Sequence, residues 1–92
     1  MADAADLTRR GIAANQAGDR THAADLFRQA TETDPRYETA WLWRSSVATT
    51  DHERRGYLRQ ALLVNPLSAP AQRGLVVLGP AKRIELGVGE QV

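Results

Sequence analysis

The segment Leu26–Trp41, LFRQATETDPRYETAW, returns 31 residues later as Tyr57–Gln72, YLRQALLVNPLSAPAQ. The identical pairs are Arg28 and Arg59, Gln29 and Gln60, Ala30 and Ala61, Pro35 and Pro66, and Ala40 and Ala71. Upstream the offset is 34, which pairs Leu7 with Trp41, Gly11 with Ser45 and Ala14 with Ala48. Self-similarity at such a period is typical of stacked structural repeats. We therefore interpret the chain as a repeat protein whose second unit is shorter than its first.

The first unit is predicted to contain two helices. Asp3 can cap the first helix, which should end by Gly18, and Leu7, Gly11 and Ala14 recur along it at helical spacing. The second helix should start near Asp19 and end before Pro35, because proline cannot continue a helix. Its inward stripe is expected to consist of Ala23, Leu26, Phe27 and Ala30.

Three further helices are predicted after the first unit. The third should run from about Glu38 to about Thr49, and TDHE at 50–53 predicts a capping box, in which Thr50 caps and Glu53 reaches back. The inward residues of the fourth helix are Tyr57, Leu58, Ala61 and Leu62. The fifth should begin after Ser68, stop before Gly79 and Pro80, and face inward with Ala71, Leu75 and Leu78. We expect residues 80–92 to form a flexible tail, in which RIELGV at 83–88 is the stretch with strand character.

These units resemble tetratricopeptide repeats, a family of 34-residue helix–turn–helix units. Unit one, residues 4–37, carries the resemblance on Leu7, Gly11, Ala14, Ala23, Phe27, Ala30 and Pro35. Unit two, residues 38–68, carries it on Trp41, Ser45, Ala48, Leu58, Ala61 and Pro66. The resemblance implies one all-α domain over residues 1–79. In it, antiparallel helix pairs stack as a short right-handed superhelix of about five helices, and 69–79 is a capping helix.

Two positions depart from the family pattern. The leucine expected before Gly11 is Arg10, and Arg44 stands at the same place in unit two. The small residue that allows close helix approach in unit one, Ala23, is replaced in unit two by Arg54 or, after a slip in the shortened turn, by Gly56.

The resemblance also implies a concave groove, which in this family is lined by the first helix of each unit. The corresponding residues are Thr8, Ile12, Asn15, Leu42, Trp43, Ser46, Arg73 and Val77. Family members that bind a carboxyl terminus use Lys, Asn and Arg at these places. Since Arg73 is the one basic residue of this set, carboxylate recognition of that kind is disfavoured.

Trp41, Leu42 and Trp43 are adjacent and point in three directions about 100° apart on a helix. Trp41 is expected in the core between the two helices of unit two. For Leu42 and Trp43 two interpretations stay open, namely burial against neighbouring helices and contact with a partner or a second copy.

Composition excludes several classes of protein. The chain of 92 residues has no cysteine, which rules out disulfides and thiolate metal sites, and its 12 basic and 11 acidic residues give a net charge of +1. Eleven arginines accompany the single Lys82, but near-neutral charge is not typical of nucleic-acid binding. No apolar run reaches the length of a membrane span, so we expect a cytoplasmic protein without membrane contact.

No catalytic, cofactor or metal motif is recognisable. His22 and His52 stand near predicted helix starts without metal-ligand spacing, and the run from Asp51 to Glu53 is typical of helix capping. We therefore predict a non-catalytic module without cofactor that binds a peptide or helix of another protein. A module that self-assembles through its terminal helices is the alternative, and nucleic-acid binding through arginines is the least favoured.

Overall fold

The computed structural model describes residues 2–80, and all regular secondary structure in this range is helical. The helices are α1 (Ala4–Gln16), α2 (Arg20–Thr33), α3 (Glu38–Ser46), α4 (Asp51–Val64) and α5 (Ala69–Leu78). The prediction of an all-α fold with five helices is confirmed. The predicted flexible tail, with its stretch of strand character at 83–88, lies outside the described residues after Pro80.

Four of the five helices begin at a side chain that caps them. Asp3, Asp19, Thr50 and Ser68 each accept a hydrogen bond from the backbone N–H three residues later. Such caps satisfy N–H groups that have no partner within the helix. Glu53 reaches back as predicted, but it accepts from the N–H and the hydroxyl of Thr49.

The turns that end α2 and α4 share one hydrogen-bond pattern. The side chain of Asp34 accepts from the N–H of Arg36 at 3.0 Å, and the side chain of Asn65 accepts from the N–H of Leu67 at 3.1 Å. The carbonyl of the following proline is bonded in both turns, by Trp41 Nε1 at 2.8 Å for Pro35 and by Gln72 Nε2 at 3.1 Å for Pro66. The sequence repeat is thus also a repeat of turn structure.

Helices α1 and α2 pack as one pair and α3 and α4 as the next, while α3 also contacts α1 and α2, and α5 packs against α4. The packing of α5 on α4 repeats that of α3 on α2. The ring of Trp43 stacks on Phe27 with centroids 5.8 Å apart. At the positions 31 residues later, Gly74 lies so close to Leu58 that an added Cβ would come within 2.8 Å of Leu58 Cδ1.

The hydrophobic core consists of three small clusters of buried residues. Their buried members are Ala4, Leu7, Leu26, Ala30 and Ala40; then Ala23, Phe27 and Val47; then Leu58, Ala61 and Ala71. Phe27 is the largest side chain that is fully buried, and Gly11 makes room for it, because a Cβ there would approach Phe27 Cε1 to 2.5 Å. Close contact across α1 and α2 therefore depends on this glycine.

Most predicted core residues are buried, including Gly11 and Ala48, but four are not. Ala14 and Trp41 are half-buried, and both pack against buried clusters. Pro35 and Pro66 are exposed because they lie in the turns, where the ring ends a helix and fills no core. Their assignment to the repeat core was wrong.

Helix α3 ends at Ser46, earlier than the predicted end near Thr49. Two arginines from other helices bind carbonyls at and just beyond its end. Arg20 donates to Ser46 O and Ala48 O, and Arg54 donates to Ser45 O and Ala48 O. Cationic donors at a helix C-terminus satisfy carbonyls without an intrahelical partner. Arg54, in the first turn of α4, therefore bonds the end of α3 and the turn that follows it.

Gly56 has no packing role, since a Cβ added there meets nothing within 4 Å. Glycine inside a helix costs about 0.5–1 kcal/mol relative to alanine. We expect Gly56→Ala to raise the free energy of unfolding by about that amount. Gly74→Ala is the matched control, because Leu58 stands in its way and should remove the gain. Urea unfolding curves of both variants test this, and an equal gain at both sites would contradict the packing described.

Candidate functional site

The eight predicted groove residues do not form one pocket. Thr8 is buried at 2 % exposure, with its hydroxyl donating to Ala4 O at 2.7 Å, so it cannot reach a ligand. Ile12 packs against the cluster around Phe27, and Asn15 is half-buried. The remaining residues line two separate depressions. Thr8 was therefore wrongly assigned to the surface of the groove.

The first depression, of about 210 Å³, is lined by Leu42, Trp43 and Ser46 of α3. Trp43 is half-buried, because one ring face stacks on Phe27 while the side chain also borders the depression. Ser46 is exposed, and its hydroxyl donates to Trp43 O at 2.9 Å. Ile12 of α1 packs against the same cluster as Trp43, so the surfaces of α1 and α3 adjoin here. Trp43 is therefore buried on one side against Phe27 and accessible on another.

The second depression lies on α5 and brings together Arg73 and Val77 with Ala69, Gln72 and Val76. Val76 is 79 % exposed and Val77 is 85 % exposed. Val76, which was not among the predicted groove residues, extends the apolar surface of Val77. Arg73 is the one charged side chain in its lining.

A cluster that the sequence prediction missed lies on the α4 side of α3. The guanidinium carbon of Arg44 stands 4.4 Å from the ring centroid of Tyr57 and 5.7 Å from that of Trp41, and its Nη1 donates to Thr31 Oγ1 at 2.9 Å. Arg44 lines both a cavity of about 240 Å³ between α2 and α4 and a more open one of about 380 Å³ beside His52, Gly56 and Gln60. The sequence carried one signal for this cluster, because Arg44 stands where the family pattern has a leucine.

Arg44 and its repeat equivalent Arg10 have different partners. Arg10 lies 3.7 Å from the carboxylate of Asp6, whereas Ala40 occupies the position of that acid in unit two. Within residues 2–80, Arg44 has no ion pair and instead covers two aromatic rings. Cation–π contacts of this kind hold the guanidinium in place. The side chain thus fills the place of an apolar residue.

Charged side chains beside the cavity between α2 and α4 balance one another. Hydrogen bonds from Arg28 and Gln29 hold the pKa of Asp25 below its usual value, and bonds to Asp25 and Glu32 raise the pKa of Arg28. The cavity lining contains Arg28 and Arg44 opposite Asp25 and Glu53, so it carries no excess of either sign. This balance gives the cavity no preference for an anionic or a cationic ligand.

Several arginines bind groups of the chain itself. Arg9 pairs with Asp6, Arg54 pairs with Asp51, and Arg55 donates to the Gly79 carbonyl. No group of three or more His, Asp or Glu residues suited to a metal occurs within residues 2–80. In the same range, no helix combines the length and the apolar character needed to cross a bilayer.

Comparison of the chain with protein-family models, with curated proteins and with solved structures finds no match.

Proposed function

We propose that the chain is a non-catalytic protein-interaction module with the helix-pair architecture of tetratricopeptide repeats, stacked as a right-handed superhelix. Its partner is a peptide or helix of another protein, bound on the surface where α1 and α3 adjoin. The observation that carries the proposal is the depression formed by Leu42, Trp43 and Ser46, whose tryptophan is packed on one side and accessible on another.

The position of Trp43 supports this proposal on physical grounds. Tryptophan is enriched among the residues that dominate binding free energy at protein interfaces. Stacking on the fully buried Phe27 fixes the indole ring before a partner arrives, which lowers the entropy lost on binding. A rigid aromatic side chain beside Leu42 is suited to receive an apolar side chain from an extended or helical segment.

Nucleic-acid binding has less support. Such binding needs basic side chains arranged to contact phosphates. Arg9, Arg10, Arg28 and Arg54 instead pair with acids, and Arg20 and Arg55 donate to backbone carbonyls. The balance of charge and the cysteine-free composition agree with a protein partner in the cytoplasm.

The test is affinity capture from a native lysate, in which the bait is compared with two variants. Ser46→Arg should fill the depression without disturbing the core, because Ser46 is exposed. We expect at least a tenfold loss of partner binding, about 1.4 kcal/mol or more. Thr21→Arg is the matched control, since Thr21 is also an exposed residue within a helix and lines none of the depressions described.

Binding of the captured partner to each purified variant should then be measured by calorimetry. Equal binding by the wild-type chain and the Ser46→Arg variant would refute the proposed surface. Loss of binding in the Thr21→Arg variant would show that added charge alone weakens the complex, and this would also count against the site.

A further inference from the structure

The depression formed by Leu42, Trp43 and Ser46 has a cationic side chain beside it. Arg20, the first residue of α2, donates from its Nη2 to Ser46 O and to Ala48 O, both at 3.3 Å. Because Ser46 lines the depression, the guanidinium group lies within one hydrogen bond of the backbone there. The three lining residues themselves carry no charge. An uncharged, largely apolar surface is thus flanked by a guanidinium group.

The bonds to α3 leave most donors of Arg20 available. A guanidinium group has five N–H donors, and the bonds to Ser46 O and Ala48 O both use Nη2. Within residues 2–80, Nε and Nη1 of Arg20 have no hydrogen-bond partner, and the side chain forms no ion pair. Three N–H groups on an exposed side chain are therefore left for another acceptor.

The acids at the starts of α2 and α4 bind other groups. Asp19 precedes Arg20, but its carboxylate accepts from the N–H of His22 at 3.1 Å and caps α2. Asp51 pairs with Arg54 at 3.2 Å. In the part of the chain that the structure describes, the charge of Arg20 therefore stays without a carboxylate partner, which makes this end of the depression complementary to an acid.

We infer, resting on the proposed function, that the partner segment carries an Asp or Glu side chain close to its apolar anchor, and that Arg20 binds this carboxylate. Trp43 and Ser46 are separated by a rise of about 4.5 Å along α3. An extended segment advances about 3.3 Å per residue, so an acid one or two residues from the anchor reaches the guanidinium group. Arginine pairs with carboxylates through parallel N–H···O bonds. The two backbone carbonyls hold the guanidinium group before binding, which lowers the entropy lost.

Selection from a random peptide library displayed on phage tests this specificity. The library is selected on the wild-type chain, and sequences that also bind the Ser46→Arg variant are discarded. The retained sequences should carry Asp or Glu within two residues of a large apolar residue. The most frequent one is then synthesised with an amidated C-terminus, once with its acid and once with the corresponding Asn or Gln. Calorimetry on the wild-type chain should show binding at least about tenfold weaker for the second peptide.

Two variants assign that loss to Arg20. On Arg20→Gln the two peptides should bind within about twofold of each other, because the partner of the carboxylate is gone. Arg59→Gln is the matched control, since Arg59 is also an exposed arginine within a helix and lines none of the depressions described. On this variant the tenfold difference should persist.

An NMR measurement on the wild-type chain gives the same information without a substitution, should Arg20→Gln lose its helical circular dichroism signal. The Nε–H signal of Arg20 should shift with the acidic peptide and stay in place with its amide counterpart.

Retained peptides without an acid near their apolar residue would overturn the inference. Equal loss of affinity on the wild-type chain and on Arg20→Gln would do the same, as would an Arg20 signal that ignores the acid. In each of these cases the peptides still depend on Ser46, so the proposed binding surface would stand. If every selected sequence also bound the Ser46→Arg variant, the surface itself would fail, and acid recognition by Arg20 with it.

Discussion

Replacing Phe27 with alanine is expected to lower the free energy of unfolding by about 3–5 kcal/mol, the range for truncating a buried aromatic side chain. Phe27 is fully buried and connects α1, α2 and α3, since it touches Gly11, stacks with Trp43 and belongs to the cluster with Ala23 and Val47. A cavity there would loosen both the first helix pair and its contact with the next. Urea unfolding followed by circular dichroism measures the loss.

Two further substitutions make the Phe27 result specific. Phe27→Leu reproduces the residue found at the equivalent position 58 and should cost much less than Phe27→Ala. Leu67→Ala removes an apolar side chain that is 84 % exposed, and it should change the free energy of unfolding by no more than about 0.5 kcal/mol. A cost below about 1 kcal/mol for Phe27→Ala would show that the helix faces are assigned wrongly.

Trp43→Ala should have the second largest effect, a loss of about 2–3 kcal/mol in the free energy of unfolding. The side chain is half-buried, so the loss should be smaller than that for Phe27→Ala, but removal of the ring uncovers Phe27 and separates α3 from α2. The same variant should also weaken partner binding. Matched denaturation curves at several protein concentrations separate the loss of folding from any loss of association.

Trp43→Phe is the control for this variant, because a phenyl ring can still stack on Phe27. It should recover most of the stability lost in Trp43→Ala. If Trp43→Ala left stability within about 0.5 kcal/mol of the wild type, Trp43 would be a surface residue only, and its contact with Phe27 would contribute nothing.

Helix positions could be predicted from the sequence because short-range signals mark them. Asp3, Asp19, Thr50 and Ser68 are capping residues, and each caps a helix in the structure. The DP and NP pairs mark turns for a local reason, since the Asp or Asn side chain bonds the backbone two residues later. The buried face of each helix could be predicted because small and apolar residues recur along it at helical spacing.

Features that depend on contacts between distant residues were not predictable in the same way. The last carbonyl of α3, that of Ser46, accepts from Arg20, which reaches it from 26 positions earlier in the chain. Thr8 was assigned to the groove from its position in the repeat, but its hydroxyl bonds to Ala4 O and the side chain is buried. The stacking of Arg44 over Tyr57 also requires the packed fold.

The two indole N–H groups offer the most direct test of the proposed binding surface. In a ¹H–¹⁵N NMR titration with the captured partner or a peptide from it, Trp43 reports on the depression beside Leu42 and Ser46. Trp41 reports on the opposite cluster, where its Nε1 donates to Pro35 O at 2.8 Å. We predict that the Trp43 indole signal shifts with the partner concentration while the Trp41 signal stays in place. A shift of the Trp41 signal alone would place binding at the Arg44 cluster and contradict the proposal.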